Sequence, residues 1–263
     1  MRLIHPTAVV DPQAELDGAV EIGAYCVVGA GVRLHAGVRL WSHVVIEGRC
    51  DIGAGVEVHP FARLGGPPQD AGYRNEPTAL EIGPRCIVRE HVTMHRGTAH
   101  GGGLTRVGAD GHFMGHAHVA HDCVVGERVT LSQGATLGGH VRIGEGAMLG
   151  GLCAIHQRGQ VGRMAMIGGL AAVVGDVPPF TIAAGNHAEL CGLNVVGLRR
   201  RGVAAAQVQA LRAAYKRVFE GEGLFAERLA EARQACGEEP LAREFLEFLT
   251  MQRARPLAAV RRA

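Results

Sequence analysis

Residues 16–40 read LDGAVEIGAYCVVGAGVRLHAGVRL, with an apolar residue at every sixth position: Leu16, Ile22, Val28, Leu34 and Leu40. Four residues after each of the first four comes a second apolar side chain: Val20, Cys26, Val32 and Val38. The same beat begins at Val10, runs to Leu64, resumes at Ile82, Val88 and Met94, and then carries on from Val107 to Val173. An amphipathic helix repeats every 3.6 residues and a half-buried strand every two, so neither produces a period of six. A sustained six-residue period marks a parallel β-helix, in which three short strands and three turns make one triangular coil of about 18 residues. A coil leaves an apolar edge bare until another stacks on it, so stability arises between neighbours. The predicted fold is an all-β solenoid, a parallel β-helix of hexapeptide repeats, followed by a C-terminal α-helical domain.

Two segments break the beat. Residues 65–79, GGPPQDAGYRNEPTA, form a loop worth about two hexads, and residues 99–105, AHGGGLT, shift the phase by one between Met94 and Val107. Insertions in a solenoid tend to lie on one face, often the binding face. Pro178 and Pro179 end the repeat, because proline cannot donate to a ladder, and residues 180–197 read as an extended connector. Beyond Gly197 the spacing of Val208, Leu211, Tyr215, Val218 and Phe219 turns helical, as does that of 224–235 and 241–251, with Pro240 suited to a first turn. The domains are therefore 1–197, the β-helix, and 198–263, a helical unit small enough that it is expected to pack on the coil.

Composition narrows the function. Aromatics make up only 4% of a chain that is 47% apolar, so the core is built from Val, Ile, Leu and Ala. A net charge of +2 gives no general field for nucleic acid. No apolar run approaches the ~20 residues of a membrane span, and the first residues lack a secretory core, so a cytoplasmic protein is expected. Among the seven cysteines, Cys26, Cys50, Cys86, Cys123 and Cys153 share the small-residue position of the repeat, which predicts buried hydrophobes, not ligands or nucleophiles.

The chemistry gathers at residues 115–123, GHAHVAHDC. Positions 18 apart stack, at a step of about 4.8 Å. His140 therefore lies one coil from Asp122 and beside His121, and His156 lies one coil beyond Gly138. One flank then carries His118, His121, Asp122, His140 and His156. A carboxylate beside an imidazole fixes its tautomer and raises its basicity. Gly138 and Gly139 on the next coil offer bare backbone whose N–H groups can steady an oxyanion. Base and oxyanion donor on neighbouring coils suit acyl transfer to a hydroxyl. A metal site is the competing reading. His116 and His121 have the spacing found in β-helix carbonic anhydrases, but Leu80, 36 residues before His116, does not supply a third histidine.

The runs EPTALEIGPRCIVREHVTMHRGT (76–98), GGGLTRVG (101–108), HVAHDCVVG (118–126), GGHV (138–141), AIHQ (154–157), DVPPFTIAAGNHA (176–188) and GLRRRG (197–202) resemble the acyl-ACP–UDP-N-acetylglucosamine O-acyltransferases of lipid A biosynthesis, within the hexapeptide-repeat acyltransferases. The resemblance spans nearly the whole chain. It implies a left-handed coil and transfer of a 3-hydroxyacyl chain from acyl carrier protein to the 3-hydroxyl of UDP-N-acetylglucosamine, the first step of lipid A assembly. It also implies His121 as general base, Asp122 as its orienting partner and Gly139 as oxyanion donor. Asp70, His118, His140, His156 and Gln157 would face sugar and donor, Asn194, Arg200 and Arg201 the nucleotide and its phosphates, and Gly169 the end of the acyl pocket. A homotrimer with sites between subunits is implied, with no metal and no resident cofactor, since the donor brings its own phosphopantetheine. Gly72 and Val196 depart from the family pattern, which often has a lysine and an acid there. They leave N-acylation of a UDP-2,3-diamino sugar as an alternative without residue evidence of its own.

Overall fold

The computed structural model describes residues 3–261. Short parallel strands build three sheets of 11, 9 and 8 strands that run the length of the coil. The coil visits them in turn. His112–Phe113 lies in the first sheet, His118–Val119 in the second and Val124–Val125 in the third. Register confirms the coil length, since Val124 pairs with Arg142 and Arg142 with Gln160, each a step of 18 residues. Inward positions hold the repeat residues: Leu34, Ile46, Leu64, Met94, Phe113 and Leu131 are all fully buried.

The five repeat-position cysteines are buried as expected. Burial pushes the thiols of Cys50 and Cys123 up to about 12, and those of Cys86 and Cys153 to about 11, so they stay protonated and inert.

Both interruptions have the lengths their phases demand. Val58 pairs with Val88, 30 residues on instead of 18, so the first loop adds 12. Val88 pairs with Phe113, 25 residues on, so the second adds seven, one more than a hexad, which is the phase slip.

The region after the prolines differs from the expected connector. Thr181–Ala184 pairs in parallel with Met166–Ile167 and antiparallel with Glu189–Leu193, so the first sheet gains two more strands and turns back on itself. The prolines permit this because they sit before the strand, where no ladder donor is needed; the Thr181 hydroxyl donates to the Pro178 carbonyl at 2.7 Å.

Four helices follow: α1 (Val195–Arg200), α2 (Ala205–Glu220), α3 (Phe225–Cys236) and α4 (Pro240–Thr250). Helix α1 thus straddles position 198. The helical unit shares its core with the coil, because Met164 and Phe180 pack among Leu198, Leu211 and Phe245. A two-pronged ion pair from Arg163 to Glu244 joins the units, Nη2 lying 2.7 Å from Oε2. The chain then returns to the coil, where Leu257 bridges to Asp176 and Val260 to Leu190. Among the described residues no helix is long and apolar enough to cross a membrane.

Candidate active site

Most turns between strands set a residue at positive φ, and these residues stack into columns at the three corners of the coil. Between the second and third sheets the column holds Asp122 (φ 60°) and His140 (φ 60°). The same left-handed turn recurs at most corners, so it is a property of the coil rather than a mark of the site.

Asp122 is the hub. Its carboxylate is 1% exposed and accepts from the Thr98 backbone N–H at 2.8 Å, the Thr98 hydroxyl at 2.6 Å and the His121 ring at 2.8 Å. The Asp122 N–H donates to the buried Thr105 hydroxyl at 2.8 Å, and His140 Nε2 stands 3.8 Å from Oδ2. Burial pushes the Asp122 carboxyl up, but the bonds from Thr98 and His121, with the pull of His140, outweigh it and hold it below the ordinary aspartate value. An ionised carboxylate only accepts, so Nδ1 of His121 carries the proton and Nε2 is left as the basic nitrogen.

That nitrogen faces a bare backbone. A Cβ at Gly139 would lie 2.5 Å from His121 Cε1 and 2.6 Å from Nε2, so only glycine leaves room for the ring. The Gly139 carbonyl is engaged by the Arg158 N–H, while its own N–H has no intramolecular acceptor among the described residues. A base and an unspent donor therefore meet at one point, as acyl transfer needs.

Other expected residues join this corner. His118 shares a proton with the Thr93 hydroxyl at 2.7 Å, and burial followed by the charge of His121 pushes its pKa down. His140 stands edge-on to His121, with ring centres 5.1 Å apart. Burial lowers its pKa; Asp122 opposes the shift, and Arg158, His121 and His100 add to it. Asp70, in the first inserted loop, lies 3.8 Å from His100 of the second, whose ring is 6.0 Å from His140. Both insertions thus lie on the catalytic flank. His156 and Gln157 are exposed one coil on, with the Arg255 guanidinium 2.5 Å from His156 Nδ1 and 3.0 Å from the Gln157 carbonyl.

The remaining expected residues stand elsewhere on the same protomer. Arg201 donates to the carbonyl of Gly146, on the corner between the third and first sheets, and Arg200 is exposed beside it. The Asn194 amide caps Gly197 N–H at 3.1 Å and donates to Met164 O at 2.9 Å, so its side chain holds α1 in place. Gly169 lies at the corner between the first and second sheets, next to Leu170. Gly72 donates its N–H to Asp70 at 2.6 Å, and Val196 stands exposed in α1.

The metal reading finds no support in the pair that suggested it. His116 and His121 occupy different corners, because five residues span a strand. His116 ends a surface stack with His91, ring centres 4.7 Å apart, that continues through Phe61 and His43 to Tyr25. Leu80 points into the core, fully buried. The group whose donor atoms lie within 4.8 Å of one another is His121, Asp122 and His140, and there Asp122 is already held by Thr98.

Sequence reading missed Thr98, Thr105, His95, His100 and Arg255. Both threonines were legible in principle, since a step of 25 instead of 18 places Gly97 and Thr98 next to Asp122, and the ordinary step of 18 places Thr105 opposite Cys123. Arg255 was not, because no period links the tail to the coil.

A β-helix that aims a buried His–Asp pair at an open glycine amide is the working part of a hexapeptide-repeat acyltransferase. The family model for UDP N-acetylglucosamine O-acyltransferase, domain 2, matches residues 176–258. Three solved structures align over almost the whole fold. LpxA from Acinetobacter baumannii is 36% identical (TM-score 0.91, covering 98% of this chain and 100% of that one). LpxA from Moraxella catarrhalis is also 36% identical (0.92, 97% and 99%), and UDP-N-acetylglucosamine acyltransferase from Campylobacter jejuni is 34% identical (0.92, 98% and 100%). The chain belongs to the UDP-N-acetylglucosamine O-acyltransferase family.

Two outcomes follow from this geometry. Gly139→Ala drives a methyl group into the His121 ring, and is expected to cut turnover at least ~100-fold, the scale of a lost general base, while the melting temperature moves only slightly. His95 is buried with its Nδ1 unpaired, and burial, followed by the charges of His118, Arg63 and His121, lowers its pKa to about 4 from 6.5. The folded state resists protonating this ring, so its contribution to stability is complete above pH 6.5 and is lost as pH falls toward 4. Urea unfolding at pH 7 and pH 4.5 should show His95→Gln losing on the order of 2 kcal/mol less than wild type over that window.

Proposed function

We propose that this enzyme transfers a 3-hydroxyacyl chain from acyl carrier protein to the 3-hydroxyl of UDP-N-acetylglucosamine, the first step of lipid A biosynthesis. The observation that carries the mechanism is the chain Thr98–Asp122–His121 ending opposite Gly139. His121 Nε2 takes the hydroxyl proton as the sugar oxygen attacks the thioester carbon and a C–O bond forms. The imidazolium is steadied by Asp122, whose carboxylate is fixed before the reaction begins, so little reorganisation is needed. The Gly139 N–H donates to the tetrahedral oxyanion. Collapse breaks the C–S bond, and the departing thiolate takes the proton back from His121. His118, His140, Asp70, His156 and Gln157 surround the position sugar and donor must occupy. The reaction needs no resident cofactor or metal, because the donor carries its own phosphopantetheine.

A shared site explains the dispersal of the remaining residues. Arg200 and Arg201 lie at a different corner from His121, and Gly169 at the third, so one protomer cannot bring them to one substrate. Packing of three copies with catalytic corners facing neighbouring corners would, which supports a homotrimer; the cytoplasm, where a soluble acyl carrier donor would be met, is its proposed place of work. Across that cleft the arginine forks match the nucleotide's phosphates, and Gly169 leaves room for a long acyl chain.

The test is direct. Purified protein is incubated with UDP-N-acetylglucosamine or its 3-amino analogue and a ladder of 3-hydroxyacyl carriers, and the products are weighed. O-acylated UDP-N-acetylglucosamine is expected. His121→Ala should keep its assembly state and lose at least ~100-fold in turnover. Product with the amino analogue alone would replace the acceptor, and full activity in His121→Ala would remove the base.

A further inference from the structure

The corner column that carries Asp122 and His140 continues one coil further, and the residue it brings up is Arg158, with φ 64°. Its backbone N–H donates to the carbonyl of Gly139 at 2.9 Å, so the side chain departs from a residue bonded to the oxyanion donor and stacked on His140. Arg158 is exposed, and among the described residues its guanidinium has neither an ion pair nor a hydrogen bond. Arg255 adds positive charge beside it, and the carboxylates of Asp122 and Asp176 already have partners. Arg255 lies close by, its guanidinium spent on the Gln157 carbonyl, the Val174 carbonyl and His156. Asp176, further along, is fully buried and faces Arg253 at 3.6 Å. Asp122 is two coils back, sealed beneath Thr98 and His121.

An arginine left bare at the rim of a catalytic cleft, with a second guanidinium behind it, is a site for a doubly coordinating anion; the planar fork matches phosphate oxygens. We propose that Arg158 binds a phosphate group of a substrate whose reacting atom faces His121. The proposal rests on the transfer reaction above, in which both substrates carry such a group: the acceptor a diphosphate, the donor a phosphodiester on its pantetheine arm. Arg158 stands two strand spacings, ~10 Å, from Asp122 along the coil axis, so it contacts substrate beside the reacting atoms and not at them. It is a binding residue on the protomer that supplies the base, separate from Arg200 and Arg201 on another corner.

The experiment compares wild type with Arg158→Gln and Arg158→Lys. Both keep a Cβ at the same positive φ, so the turn itself is not altered. Arg158→Gln is expected to raise the KM of one substrate about tenfold or more, the worth of a charge-assisted bond, with kcat changed less than threefold; Arg158→Lys should recover part of the loss. Direct binding of UDP alone and of 4′-phosphopantetheine alone assigns the phosphate, since the probe whose affinity falls identifies acceptor or donor. Unchanged KM values for both substrates, with unchanged binding of both probes, overturn the proposal. A wild-type enzyme that turns over neither acceptor defeats the transfer reading instead, and the two binding measurements still decide whether Arg158 holds phosphate.

Discussion

The ladder between coils governs everything else in this molecule. Each coil buries its apolar edge only by pairing in register with the next, which fixes the vertical neighbour of every residue. Core positions become columns of Val, Ile and Leu, and corner positions become columns of side chains that stand free of the core. A catalytic group needs no special loop to be placed accurately, because its height and corner follow from its distance in sequence. Function enters where the ladder is lengthened. The 12- and seven-residue insertions leave pairing intact above and below them and spend their extra chain on the flank of His121.

The second insertion serves the chemistry most closely. It brings Thr98 and Thr105 against Asp122, so a carboxylate that burial would otherwise drive toward its neutral form stays ionised. Glycines are required there by contact. Gly101 packs so tightly on the carboxylate that any side chain would strike it, and Gly139 plays the same part for the imidazole. The site is thus a rigid base whose partners were satisfied during folding, which is the condition for electrostatic preorganisation.

How much of this was legible in sequence follows from which interactions are periodic. The coil, its length, both interruptions and the neighbourhood of His121, Asp122, Gly139 and His140 depend on fixed steps of six and 18, and counting recovers them. The strands after Pro178 were not recovered, because proline forbids donation only at its own position and the ladder resumed at Thr181. Thr98 escaped because the step across the loop is 25, and Arg255 because it reaches His156 from a tail that obeys no period. Asn194 shows the same limit. Its amide caps α1 and donates to the Met164 carbonyl, contacts that no count of six or 18 announces.

The central claim is that the ionised Asp122 carboxylate makes His121 a base. Asp122→Asn tests it most directly, since the amide keeps the shape and the Thr98 contacts of one oxygen while removing the charge that holds the Nδ1 proton. Steady-state transfer to UDP-N-acetylglucosamine should fall by at least ~100-fold in kcat, with the KM of both substrates and the unfolding midpoint close to those of wild type. A variant that turns over within about twofold of wild type would contradict the claim and leave His121 without the partner on which its role depends.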